Sequence, residues 1–166
     1  MYRYHDKNGE YISLHDCRAE KIKFKNGVLS FYFNDGFWLY PNHFYNPTEK
    51  TFNTDAAKVK FHLAFEDKSD FSFYVLSRIN KKNYRKRLCT EPKIKKFIKK
   101  VNAGKYSLEF LYMYATKGND LKIIECVLWD KKKPKSEKCI IKLDSDRVEY
   151  CWNMSHTGDG PAYELK

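Results

Sequence analysis

The stretch Lys21-Ile22-Lys23-Phe24-Lys25-Asn26-Gly27-Val28-Leu29-Ser30-Phe31-Tyr32-Phe33 reads as two strands and the turn that joins them. Both central residues of a type I′ turn need positive φ, which Asn and Gly tolerate. A two-residue loop at Asn26-Gly27 pairs Lys25 with Val28, Phe24 with Leu29 and Ile22 with Phe31. Side chains alternate along a strand. Ile22, Phe24, Leu29, Phe31 and Phe33 therefore share one face, and Lys21, Lys23 and Lys25 share the other. One face is built to be buried and one to be solvated, which is the signature of an antiparallel sheet.

The same devices recur on both sides of this hairpin. Asn8-Gly9 predicts a turn joining Tyr4-His5 to Tyr11–Leu14. Asp35-Gly36 predicts another, pairing Phe33 with Trp38 and Phe31 with Tyr40. After Pro41 the periodicity stops, and 42–57 reads as an irregular connection whose His43, Phe44, Tyr45 and Phe52 pack down. Lys58–Glu66 alternates, with Val59, Phe61, Leu63 and Phe65 inward and Lys58, Lys60 and His62 outward. A turn over 67–70 leads to a strand at Phe71–Arg78. Ile94, Phe97, Ile98 and Val101 recur at helical spacing, with Thr90 as N-cap, Pro92 in the first turn and Gly104 past the end. Four strands follow: Tyr106–Tyr114, Leu121–Asp130, Lys138–Leu143 and Arg147–Trp152, with turns at Lys117-Gly118-Asn119 and Asp144-Ser145-Asp146. The pattern predicts a mainly β single domain over 1–166. Its architecture is an antiparallel sandwich or a curved, partly closed sheet of about nine or ten strands, with one amphipathic helix at about 91–103.

The chain of 166 residues is 42% apolar and carries 12 Phe, 13 Tyr and 3 Trp, enough to build a core. The N-terminal residues show no apolar h-region, and no run reaches the ~18 apolar residues of a membrane helix. The five cysteines are odd in number and lack CxxC spacing, so free thiols and a cytoplasmic location are expected.

Leu14-His15-Asp16-Cys17, Ile22-Lys23-Phe24, Asn26-Gly27, Leu29-Ser30-Phe31 and Asp35-Gly36-Phe37-Trp38 together resemble a group of small β-rich bacterial proteins. These are common in low-GC Gram-positive genomes and are of immunity or accessory type. The resemblance covers about the first quarter of the chain. It implies a protein-binding role and brings no catalytic residue with it.

Charge is concentrated in one place. Between Arg78 and Lys105 stand twelve Lys and Arg against one acid, Glu91, which leaves twenty basic and twenty acidic residues elsewhere. The net charge of +11 thus belongs to this segment. Lys outnumbers Arg 26 to 6, as an AT-rich genome would produce, yet three of the six Arg fall here. Lys95/Lys99 and Lys96/Lys100 are like-charged pairs at i,i+4, each unfavourable by ~0.2–0.5 kcal/mol in isolation. An anionic partner relieves that repulsion. The expected anion-binding residues are Arg78, Lys81, Lys82, Arg85, Lys86, Arg87, Lys93, Lys96, Lys99 and Lys100. The chain then reads as a non-enzymatic accessory domain that binds an acidic protein or another polyanion. The alternative is nucleic acid held by phosphate contacts without sequence preference, since no nucleic-acid-binding motif is present.

Other chemistry has thinner support. His15-x-Cys17 could supply two zinc ligands, but no second pair completes the set. Cys89, beside Arg87 and a helix start, is the thiol placed best for a lowered pKa. His15, His156 and two carboxylates would make a hydrolase site only if folding gathers them. No phosphate-cradling glycine motif occurs, and neither a metal nor a cofactor is implied.

Overall fold

The computed structural model describes residues 1–46, 49–64, 71–78, 84–115, 120–133 and 136–153. The expected turns at 67–70 and 117–119, Lys81, Lys82 and the tail with His156 lie outside them. Among the described residues the fold is β1 (Tyr4–Asp6), β2 (Ile12–Ser13), β3 (Arg18–Lys25), β4 (Val28–Phe33), β5 (Trp38–Leu39) and β6 (Phe52–Asn53). Next come β7 (Ala57–Leu63), β8 (Phe71–Arg78), β9 (Tyr84–Leu88), α1 (Glu91–Asn102), β10 (Tyr106–Ala115), β11 (Leu121–Asp130) and β12 (Ser136–Trp152).

Six strands close a ring, β3-β4-β7-β12-β11-β10, with every neighbouring pair antiparallel. The fold is thus mainly β with one helix, and the curved, closed sheet replaces the sandwich. The β3–β4 hairpin has the register that its sequence dictates: Lys25 faces Val28, Phe24 faces Leu29 and Ile22 faces Phe31. Asn26 and Gly27 carry φ of 50° and 67°. Ile22, Leu29, Phe31, Phe33, Val59, Phe61, Leu108, Phe110, Ile124 and Ile141 fill the barrel.

Three expected turns serve other purposes. Residues Lys138–Leu143 and Arg147–Trp152 are one 17-residue strand, not two. Ser145 at its centre is fully buried, its N–H donates to Asp120 O, and the register slips between Ser145 and Arg147. That bulge is where β12 changes partners, from β11 and β8 on its first half to β7 and β1 on its second. Asp35-Gly36 does turn the chain, but Trp38 does not return along β4. Gly36 sits at φ 75°, where a Cβ would run into the Thr54 carbonyl. Phe37 N–H bonds Thr54 Oγ1, and β5 joins β2 and β6 in a separate small sheet. Asn8-Gly9 is an Asx turn, with both N–H groups donating to Asp6 Oδ1, and β1 pairs with β12. In the 42–57 connection His43 is buried and Tyr45 and Phe52 pack on the core. Phe44, expected to do so, is 90% exposed.

Helix α1 fills a gap in the wall. β10 pairs with β3 only at Leu108–Ala19 and Glu109–Arg18, which leaves the edge of β3 open further along. Asn102, in the last turn of α1, covers it: Ile22 N–H donates to Asn102 Oδ1 at 2.7 Å, and Asn102 Nδ2 donates to Ile22 O at 2.9 Å. Phe97 stacks on Phe73 with ring centroids 4.6 Å apart, and Val101 is buried. The helix packs on β3 and β10. No helix among the described residues is long and apolar enough to cross a membrane.

Candidate anion-binding surfaces

The basic segment becomes β9 and α1, and strand and helix periods divide its charges. On β9, Lys86 lies opposite Leu76 and shares the face of Tyr74, with Nζ 4.2 Å from that ring. Arg85 and Arg87 alternate to the other face, the one carrying Val75, and all three are exposed. On α1, Lys93, Lys95, Lys96 and Lys99 are exposed. Lys95 pairs with Glu91 at 3.1 Å. Lys100 is half-buried, donates to Tyr106 Oη at 2.9 Å and lies 4.6 Å over that ring. Arg78 ends β8 opposite Tyr84. Among the described residues, Glu91–Lys95 is the one ion pair within this segment. The cations thus lie on two faces of the β8–β9 hairpin and around the solvent arc of α1, not along one ridge.

A second cationic surface comes from strand pairing. Across β3, β4, β7 and β12 the outward residues align in rows. Lys21 faces Tyr32, which faces Lys58. Lys23, Ser30, Lys60 and Glu149 follow, then Lys25, Val28, His62 and Arg147. The neutral column on β4 is thus flanked by a lysine column on β3 and another on β7, about 10 Å apart at ordinary strand spacing. The Nζ atoms of Lys21, Lys23 and Lys58 stand 5.7, 5.7 and 5.8 Å from the Tyr32 ring, and Lys58 is 5.0 Å from Tyr2. Six cations share this wall with one carboxylate, Glu149. Lys21, Lys23, Lys25 and Lys58 meet no carboxylate among the described residues. Alternation along each strand sends Lys21, Lys23 and Lys25, and likewise Lys58 and Lys60, outward, but only the register sets them beside one column.

Glu149 gathers the far side of the wall. It accepts from Lys60 Nζ at 2.7 Å and from His62 Nε2 at 3.1 Å, and Arg147 Nε is 3.7 Å away. Arg147 Nη2 lies 3.0 Å from His62 Nδ1 and 3.4 Å from its Nε2. The Lys60 hydrogen bond holds the Glu149 carboxyl below its ordinary value, against partial burial, and the same bond raises Lys60. A lowered carboxyl stabilises the fold above its unfolded pKa of ~4.3, and this is lost as pH falls through the folded value. A raised amine stabilises below ~10.4 and loses that as pH rises through its folded value. Glu149→Gln is therefore expected to lower stability by on the order of 1 kcal/mol at neutral pH, a gap that closes at acid pH. Thermal melts of both proteins at neutral pH and in acid well below the ordinary carboxyl pKa of ~4.3 check this. A gap that persists in acid rules out the carboxylate as its source.

The remaining candidates separate. His15 Nδ1 is 3.0 Å from Asp16 Oδ2, both exposed, and Asp16 turns the chain at φ 61°. Cys17 is buried, its Sγ–H faces the carbonyls of Ser13 and His15, and burial pushes the thiol up to about 12. At Cys89 burial raises the thiol, overcoming the lowering pull of Arg87 and Lys93. The thiol placed best for a lowered pKa is therefore held in its protonated form by burial. His156 is outside the described residues. Among those residues no cluster of three His, Cys, Asp or Glu is arranged to hold a metal ion. Set against protein-family models, curated proteins and solved structures, the chain matches none of them.

Proposed function

We propose that this domain binds an extended polyanionic macromolecule. The chain would lie along β4 between the two lysine columns, with the cations of β9 and α1 enlarging the field that draws it in. The observation that carries this reading is the alignment of Lys21, Lys23 and Lys25 with Lys58 and Lys60 across a neutral strip. Like charges held near one another on a sheet face are unfavourable by a few tenths of a kcal/mol each. A polyanion converts that repulsion into attraction and releases its counterions. The Arg85, Arg87 and α1 cations support the same partner class, because α1 docks on the open edge of β3 through Asn102. An acidic protein answers this chemistry, as the resemblance to accessory domains suggests. Tyr32, set among three lysines, favours single-stranded nucleic acid as the second reading, since a ring in a cationic groove stacks on any base.

Affinity titrations against single-stranded DNA, RNA and an acidic polypeptide, repeated over a range of salt, test the reading. Four lysines of the wall without carboxylate partners give an expected slope of log K on log salt of about −3 for a single strand. Polypeptide binding with equal salt sensitivity and no polynucleotide binding selects the acidic protein. Absence of binding to all three at low salt removes the proposal.

A further inference from the structure

A cleft of about 880 Å³ opens between α1, the tip of the β3–β4 hairpin and the start of β8. Its lining is mostly apolar: Phe24 and Leu29 from the hairpin, Phe71 from β8, Leu88 from β9, and Ile94 and Ile98 from α1. The volume lies within the range of small-molecule sites. Leu88 and Phe24 stand 55% and 37% exposed at its mouth. The gap follows from the fold: α1 is tied to the β3 edge at one end by Asn102 and to β8 through Phe97 and Phe73. The Ile94–Ile98 side of the helix is thereby left facing the hairpin across open space.

The polar groups of the cleft have one sign to spare. Lys95, Lys99 and Glu91 stand on its α1 side, and Glu91 is engaged with Lys95. Lys99 is the cation without a carboxylate partner among the described residues. Asn102 is committed to Ile22, and Ser72 is neutral. We infer that this cleft binds a single-chain amphiphile with an anionic head, a free long-chain carboxylate, its alkyl tail between α1 and the hairpin and its head at Lys99. This site is separate from the lysine columns and does not depend on the polyanion reading.

Cys89 lines the same cleft and is the one half-buried cysteine, the other four being buried. Its rate of alkylation by a maleimide in the intact protein, followed by mass spectrometry, therefore reports occupancy. The probes are saturated alkyl carboxylates of increasing length, below their micelle concentrations, with the matching alcohols and alkyltrimethylammonium ions. Protection of Cys89 is expected, tightening about tenfold for every two methylenes added. The carboxylate should bind about tenfold more tightly than the alcohol, as one charge-assisted contact allows. Lys99→Glu should abolish that head-group preference while the alcohol still binds. Leu88→Glu, at an exposed position, should weaken both. Lys7→Glu makes the same charge change outside the cleft and should alter neither. No protection at any chain length would overturn the assignment, as would equal protection by carboxylate and ammonium. Protection by an oligonucleotide, which has no alkyl chain, would overturn it too and assign the cleft to the polyanion. Protection by anionic vesicles without protection by the free carboxylate would reject the free amphiphile.

Discussion

Phe110→Ala is expected to destabilise the domain by about 4 kcal/mol, the upper part of the range for deleting a buried aromatic ring. Phe110 is 1% exposed and meets Phe31 and Phe33 edge-on, with ring centroids 5.1 and 5.3 Å apart. Each such contact adds about 0.5–1.5 kcal/mol beyond the area buried. Its position raises the cost further. The ring of strands is joined between β3 and β10 at two residue pairs only. Beside them, Phe110 N–H donates to Cys17 O, and Asp16 N–H donates to Phe110 O. This seam has few hydrogen bonds, so the side chains behind it must hold it shut. Urea unfolding followed by tryptophan fluorescence measures the change. Phe24→Ala, at the partly exposed mouth of the cleft, serves as the comparison and should cost less than about 1 kcal/mol. A lower midpoint with an unchanged slope is the expected form, whereas a reduced slope would report a barrel already open at the seam. A loss at Phe110 no larger than at Phe24 would contradict the closed ring.

The hairpin was legible because turn chemistry and alternation both act within about a dozen residues of one another. Helix α1 was legible for the same reason: its apolar stripe, Pro92 and Gly104 are local signals. What the sequence concealed depends on contacts between distant segments. Asp144-Ser145-Asp146 has the composition of a turn, yet Ser145 is buried because Leu63 and Asp120 reach it from other strands. Trp38 alternates as though β4 had a partner there, but Thr54 takes Phe37 away. β9, Tyr-Arg-Lys-Arg-Leu, is a strand whose cations hide the alternation that would have marked it. Charge summed along the chain made everything outside 78–105 neutral. Charge counted across paired strands does not, because many of the balancing acids lie off the wall. Glu20 is held by Lys131, and Glu109 by Arg18. Residues 24, 71, 88 and 98 have no sequence relation that would announce a shared cleft. Charge patterning was therefore readable where one element supplies it, and unreadable where register assembles it.

Reversing three charges on the barrel wall, with Lys21, Lys23 and Lys58 all changed to Glu, is expected to weaken polyanion binding at least about a hundredfold at 0.1 M salt. Each lysine that contacts a single-strand phosphate contributes about 0.7 to the salt slope, so removing three lowers its magnitude by about 2. At 0.1 M salt that change alone amounts to roughly two decades of affinity, and the introduced carboxylates add repulsion. Stability should not fall with it. The three side chains lie on the solvent face of the barrel, around Tyr32, and the substitutions relieve crowding among cations. The matching α1 series, Lys93, Lys96 and Lys99 to Glu, makes the same change in net charge on the segment that dominates the sequence. If attraction depended on net charge alone, the two variants would weaken binding equally. If a chain lies along β4, the wall variant must lose more affinity and more salt slope at identical net charge. Titration of both variants against one labelled single strand decides the matter. A wall variant that binds as tightly as the unaltered protein would leave the aligned lysine columns without a role in holding a polyanion.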